Sequence, residues 1–252
     1  MVFNEKKENE FLESYDASQY KHPSVTVDLT ILTTDEDGKL EILLNKRNDF
    51  PFKDCWALPG TFVKIDETFE NTVSRILKEK IGSVKNYKSE QLYTFDKVDR
   101  DPRTRVISIA YLVLISKNSF KYKNDENNKW FTVKLNDDNK LQFDEEINLA
   151  FDHEDIIKTL IKRLRGKISY TTLSFELLSD KTNFTIYELQ KIHEAISNKK
   201  FDVANFRRDF KNYFLSQGIV ESNGQKSSTF SKKPSACYKV NETLSDNYIY
   251  RN

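Results

Sequence analysis

Apolar and polar positions along the chain follow two different rhythms, and the change between them falls near residue 166. Before it, the dominant signal is short β-branched runs. Val-Thr-Val-Asp-Leu-Thr-Ile-Leu, residues 25–32, predicts a strand. Asp35-Glu-Asp-Gly38 is a turn signal, so residues 40–44 predict the partner of a hairpin. Further strands are predicted at 56–58, at 91–95, at 129–133 and, as a long central run, at 106–115. A helix is expected over residues 68–80, and a second is predicted from about 152 to 164, acidic in its first turn and basic in its last. Strands enclosing one helix and flanked by another predict an α/β class sandwich. A short helical pattern around residues 10–15 comes earlier and is broken at His22-Pro23.

After Gly166 the pattern turns to short helices. One is predicted at 173–178. Thr185 opens a second, with Glu188 completing a Ser/Thr-X-X-Glu capping box, and it runs to about 196. Asp202 caps a third over about 203–216, which Gly218 ends. Residues 219–221 and 236–240 read as two strands around a loop, 222–234, that holds Lys226, Lys232 and Lys233. Three helices and a basic hairpin outline a winged helix-turn-helix whose third helix faces a major groove. On that helix Asn205, Arg207, Arg208 and Lys211 offer an amide and cations suited to base edges and phosphates, with the loop lysines tracking the backbone. Phe206, Phe210 and Phe214 recur every four residues and predict its buried face. The expected organisation is an extension at 1–21, a sandwich domain at 22–152, a winged helix at 153–240 and a tail at 241–252.

The overall formal charge of +1 hides an asymmetry. Residues 1–150 carry 23 Lys and Arg against 27 Asp and Glu, a net of −4, whereas residues 161–240 carry 15 against 7, a net of +8. A basic module behind a mildly acidic one favours a nucleic-acid partner. Two cysteines, Cys55 and Cys237, lie far apart and fit a reducing cytoplasm better than a disulfide framework. No apolar run reaches the roughly 18 residues of a membrane span, and no signal core is expected.

The chemistry concentrates in Gly60-Thr-Phe-Val-Lys-Ile-Asp-Glu67 and Arg75-Ile-Leu-Lys-Glu79-Lys80-Ile-Gly82. This stretch resembles the Nudix box of nucleoside-diphosphate hydrolases. Gly60, Glu67, Arg75, Leu77, Glu79 and Gly82 fall in register, but Ile76 and Lys80 stand where the active family has glutamates. Pyrophosphate hydrolysis uses Mg²⁺ to clamp phosphate oxygens and activate water, and Mg²⁺ takes anionic oxygen ligands. On a helix, positions 76, 79 and 80 share a face, which here carries a hydrocarbon, one carboxylate and an ammonium. Exchanging a glutamate for Lys80 about 5 Å from a divalent ion costs roughly 2–7 kcal/mol. No catalytic residue is expected; Glu67 and Glu79 remain the candidate metal contacts, with Asp66 and Glu70 nearby.

The two halves together resemble the Nudix-related transcriptional regulators, whose best-known members repress NAD metabolism genes. Pro23-Ser-Val-Thr-Val-Asp28, Trp56-Ala-Leu-Pro-Gly60 and Arg100-Asp-Pro-Arg103-Thr-Arg-Val-Ile-Ser-Ile-Ala-Tyr111 look like the family's Nudix half. Arg163-Leu-Arg-Gly-Lys-Ile-Ser-Tyr170, Phe175-Glu-Leu-Leu178 and Asn205-Phe-Arg-Arg208 look like its winged-helix half. The resemblance implies a cytoplasmic homodimer on a pseudo-palindromic double-stranded DNA operator, released when ADP-ribose enters the Nudix cleft. It needs no cofactor, and Mg²⁺ only for residual hydrolysis. Ligand contacts are then expected from Arg47, Trp56, Gly60, Thr61, Phe62, Arg75, Glu79 and Lys80, with Arg100 and Arg103 gripping the pyrophosphate bidentately. Lys80 would stand in for the metal. Thr61 departs from the family, which usually has a second glycine there. A hinge near Arg165-Gly166 would carry the response. The alternatives are an active ADP-ribose or nucleotide-sugar pyrophosphatase, an arabinose-type sugar-responsive regulator, and an RNA-binding module.

Overall fold

The computed structural model describes residues 4–82, 84, 86–121, 126–228, 233–241 and 243. Its centre is β1 (Ser24–Thr34), which lies antiparallel to β2 (Leu40–Lys46) across the expected turn. Short strands β3 (Trp56–Ala57) and β4 (Gly60–Phe62) pair with β2 and β1 respectively. Helix α2 follows at Phe69–Ile81, after an N-terminal helix α1 (Glu5–Ser14) that buries none of its residues. Then come β5 (Lys88–Phe95), β6 (Val106–Leu114), β7 (Asn128–Leu135) and β8 (Leu141–Phe143), giving the sheet order β5-β6-β1-β2-β7-β8. β1 and β6 run parallel, which buries both faces of the pair and accounts for their near-continuous apolar sequence.

Alternation along these strands assigns each face its helix. Val27, Leu29, Ile31, Ile109, Tyr111 and Val113 point to one side and pack on Val73, Ile76 and Leu77 of α2. Leu32, Ile42, Leu44, Leu112, Phe131 and Val133 point to the other and meet helix α3 (His153–Lys167). α3 buries Ile156, Ile157, Leu160, Ile161 and Leu164, one stripe at helical spacing. Thr68 caps α2 by accepting from Asn71 N–H, as the box-helix reading requires.

The C-terminal module comprises a tight turn at Leu173–Leu177, β9 (Phe184–Thr185), α4 (Ile186–Ser197), α5 (Val203–Phe210), β10 (Val220–Ser227) and β11 (Ser235–Val240). Its sheet runs β10-β11-β9. The predicted caps form: Thr185 accepts from Glu188 N–H at 3.2 Å and Asp202 from Asn205 N–H at 2.8 Å. α5 continues through a wider π turn, Lys211–Leu215. Phe210 and Phe214 are buried and join Phe175, Phe184 and Leu164 in a core continuous with the α3 face of the large sheet. The two modules therefore share apolar contacts through α3.

Three details differ from the sequence reading. The segment at 173–178 is a 3-10 turn, because so few residues do not repay helix nucleation. The loop expected at 222–234 starts later: β10 reaches Ser227 by backbone pairing, with a register shift after Ser222 that no apolar pattern signals. β4, β8 and β9, two or three residues each, carry too little periodicity to be seen.

Candidate ligand cleft and nucleic-acid face

A cavity of about 230 Å³ opens on the α3 side of the sheet, between β1, β4, the 96–105 loop and the start of α3. Register places Asp28 of β1 opposite Gly60 of β4. A Cβ at Gly60 would collide with the Asp28 carboxylate and lie 3.0 Å from the Val27 carbonyl oxygen, so only glycine allows this approach. Asp28 accepts from Ser108 Oγ at 2.5 Å and from the Arg100 guanidinium at 3.4 Å. Arg100, its side chain only 4% exposed, also donates through Nε and Nη2 to both oxygens of Asp152, at 2.9 and 2.7 Å. Burial opposes its charge, but the two carboxylates outweigh that and raise its pKa.

Arg103 makes a similar fork to Asp101, at 3.0 and 2.8 Å, and sits 5.9 Å from the Phe62 ring centroid. Arg47 donates to the carbonyl oxygens of Pro51 (2.8 Å) and Asp49 (3.4 Å) and lies over the Phe151 ring. Its pKa is lowered by burial and then by the neighbouring Arg103. Three guanidiniums thus line one cavity, and Arg47 donates there to neutral carbonyl oxygens, not to a carboxylate. Phe62, Leu58, Val106 and Phe151 supply apolar walls. Such a cleft suits a flat-ringed anion with several phosphate oxygens. His153 closes the floor. Its Nδ1 accepts from Leu58 N–H at 2.9 Å, and burial holds its pKa below the ordinary value, so the ring is neutral with its proton on Nε2.

Of the expected ligand contacts, Arg47, Gly60, Thr61, Phe62, Arg100 and Arg103 come together in this cleft. Trp56 does not line it; its half-buried ring packs edge-on against Phe131 at 4.8 Å, against the core. Arg75, Glu79 and Lys80 stand on α2, which covers the opposite face of the sheet, and do not line the cavity. Arg100 is held bidentately by Asp152 and Arg103 by Asp101, so either one grips a pyrophosphate only by exchanging a carboxylate partner for it. Asp28, Asp101, Phe151, Asp152 and His153 were not foreseen. A lone aspartate in the β-branched run at 25–32 was the one local signal that a buried partner existed.

The box residues form a structural clasp. Arg75 donates to both oxygens of Glu67 at 2.8 and 2.6 Å and to the Phe62 carbonyl oxygen at 3.3 Å. The Arg75 guanidinium holds the Glu67 carboxyl down at about 2. Ile76 is core. Among the described residues no three His, Cys, Asp or Glu side chains are grouped to hold a metal. With Glu67 committed to Arg75, a hydrocarbon at 76 and an ammonium at 80, the donor set does not fit Mg²⁺.

On the second module Asn205, Arg207, Arg208 and Lys211 are all exposed on α5 and its continuation, whereas Phe210 and Phe214 are buried. Lys226 on β10 and Lys233 before β11 are exposed as well; Lys232 lies outside the described residues. No helix among the described residues is long and apolar enough to cross a membrane.

Comparison with known proteins accords with both halves. Residues 25–158 match the NUDIX domain model and residues 174–240 the NrtR DNA-binding winged helix domain model. The chain is 34% identical to the ADPR responsive transcriptional repressor NtrR of Acinetobacter baylyi, over 94% of this chain and 89% of that protein. It is 37% identical to an ADP-ribose pyrophosphatase of Methanocaldococcus jannaschii, over 66% of this chain and 90% of the enzyme. Shewanella oneidensis NrtR complexed with a 27mer DNA superposes with a TM-score of 0.73 at 30% identity, covering 90% of this chain and 98% of that one. The NUDIX domain of the same protein complexed with ADP ribose gives 0.51 at 34% identity, over 62% and 98%.

Proposed function

The chain belongs to the NrtR family of Nudix-linked winged-helix regulators, and from that premise we propose that it is a transcriptional repressor that binds duplex DNA and is released by ADP-ribose. The observation that carries the reading is the pairing of two sites on one core: a cleft lined by three guanidiniums, and a helix that exposes Asn205, Arg207, Arg208 and Lys211. The cleft takes the pyrophosphate against Arg47 and Arg103 and a ring against Phe62 or Phe151. At about 230 Å³ it is smaller than the roughly 300–1,000 Å³ of most ligand sites, so the nucleotide extends through the mouth or displaces Phe62 and Arg103. The protein acts in the cytoplasm as a homodimer, whose two α5 helices read half-sites about one turn of DNA apart. NAD metabolism genes are the expected targets.

Release is a linkage effect. ADP-ribose frees the DNA only to the extent that it prefers the unbound geometry, and a coupling of about 1–3 kcal/mol changes operator affinity about 5–150-fold. The test is to select duplexes from a randomised pool and to measure binding with and without ADP-ribose at one salt concentration, because phosphate contacts make affinity steeply salt-dependent. Equal affinities would reject ADP-ribose as effector; release by arabinose instead would move the chain to the sugar-responsive branch.

A second reading, an ADP-ribose pyrophosphatase with an appended basic module, is favoured by the 37% identity to the M. jannaschii enzyme. Turnover of ADP-ribose with Mg²⁺ or Mn²⁺ that disappears in Glu79→Gln would establish it.

A further inference from the structure

We infer that the Arg100–Asp152 pair is the latch through which occupancy of the cleft reaches the recognition helix, with α3 as the strut between them. The inference rests on the proposed ADP-ribose reading and says which residues transmit it. Asp152 occupies the N-cap position of α3, where an aspartate ordinarily accepts from the helix's first free N–H groups. Here its side chain makes no capping bond. Both oxygens go to Arg100 instead. One carboxylate therefore has two good partners, a guanidinium in the cleft wall and the open end of its own helix. Arg100 is not left without partners if Asp152 departs: it already donates to Asp28 at 3.4 Å, and an anion in the cleft supplies a further acceptor. A pyrophosphate that draws Arg100 towards the cleft frees Asp152 to cap α3, and the helix end shifts with it.

The rest of α3 is built to carry such a shift. Its first residue, His153, is bonded to Leu58 in the cleft wall. Fifteen helical residues span about 22 Å. At the far end Arg165 donates to the carbonyl oxygen of Ile196, in the last turn of α4, at 2.9 Å, and also to the carbonyl oxygen of Leu135 on β7. Glu194, on that same last turn, accepts from Phe201 N–H just before the Asp202 cap of α5. Latch, strut, α4 and recognition helix are thus joined by named bonds without a gap. Asp152 is a positioning residue: it acts through Arg100 and does not line the cleft.

The experiment uses the full-length chain. ADP-ribose affinity is measured by calorimetry, and operator affinity by anisotropy with and without ADP-ribose. Asp152→Asn releases Arg100 in advance. ADP-ribose then binds about fivefold tighter or more, the operator binds correspondingly weaker, and added ADP-ribose releases little further DNA. Arg165→Lys cannot fork to two carbonyls, so it keeps wild-type ADP-ribose affinity while its operator response shrinks. A merely structural role for Asp152 predicts the opposite sign, weaker ADP-ribose binding. That result, or wild-type coupling in both variants, overturns the latch. If circular dichroism finds Asp152→Asn unfolded, Arg165→Lys decides alone: full coupling overturns the latch and lost coupling supports it. No ADP-ribose response in the wild-type chain overturns the effector reading itself, and the latch with it.

Discussion

Glu194 ties the end of α4 to the start of α5, and its removal should be felt at the recognition helix. The carboxylate is 7% exposed and accepts from Phe201 N–H (3.1 Å), Gln190 Nε2 (3.1 Å), Lys200 Nζ (3.0 Å) and Lys191 Nζ (3.4 Å). Burial pushes its pKa up, but these donors outweigh burial and hold it at about 2, against an ordinary 4.5. That depression corresponds to about 3 kcal/mol of folding stability at neutral pH. The sign follows from the direction. As pH falls, the unfolded chain takes up the proton near 4.5 while the folded chain refuses it until about 2. The contribution is therefore complete above about pH 5.5, about 2 kcal/mol at pH 3.5, and lost as pH approaches 2. Glu194→Gln should destabilise the chain by about 3 kcal/mol at pH 7 in urea titrations, with the gap to wild type narrowing on acidification. Operator affinity should fall as well, since the 198–202 segment that aims α5 loses its anchor. A variant as stable as wild type at pH 7, with the same dependence on pH, would show that Glu194 contributes no such stability.

Other substitutions probe the remaining links. Phe210→Ala empties a site packed by Tyr238 (ring centroids 4.9 Å apart) and Phe214 (5.7 Å) and should cost about 3–5 kcal/mol by chemical denaturation. Gly60→Ala forces a methyl group into the Asp28 carboxylate; a loss of about 1–3 kcal/mol and weaker ADP-ribose binding by calorimetry are expected. Arg207→Ala and Arg208→Ala should each leave the melting temperature unchanged. Whichever of the two contacts a phosphate should flatten the slope of log affinity against log salt by about one, and an unchanged slope in both would remove α5 from the DNA interface.

The parts of this fold that could be read from the amino acids are those whose signal is local. Residues 25–32 and 106–115 are dense in β-branched side chains, and the 203–216 helix announces itself through Asp202 and three phenylalanines at a spacing of four. β4 and β9 escaped because two or three residues cannot display a period. The cleft was half legible for a related reason. Arg47 follows a legible strand, and Arg100 and Arg103 stand in a loop that resembles the regulators' own; all three line the cavity. Their partners come from distant positions: Asp28 and Asp152 are 72 and 52 residues from Arg100, and Leu58 is 95 from His153. Nothing near Arg100 in sequence says that two carboxylates enclose it. Trp56 was ambiguous for a different reason, since a strand of two residues does not declare which face it turns inward.

One small molecule and one duplex compete through the protein, not for the same surface. Linkage makes this competition measurable in a single calorimetric comparison: ADP-ribose affinity of the free chain against that of the chain saturated with its selected duplex, at one salt concentration. Reciprocity requires ADP-ribose to bind the DNA-bound chain more weakly by the same factor, about 5–150, by which ADP-ribose weakens DNA binding. Identical affinities in the two states would mean that ADP-ribose and the duplex do not communicate through the protein.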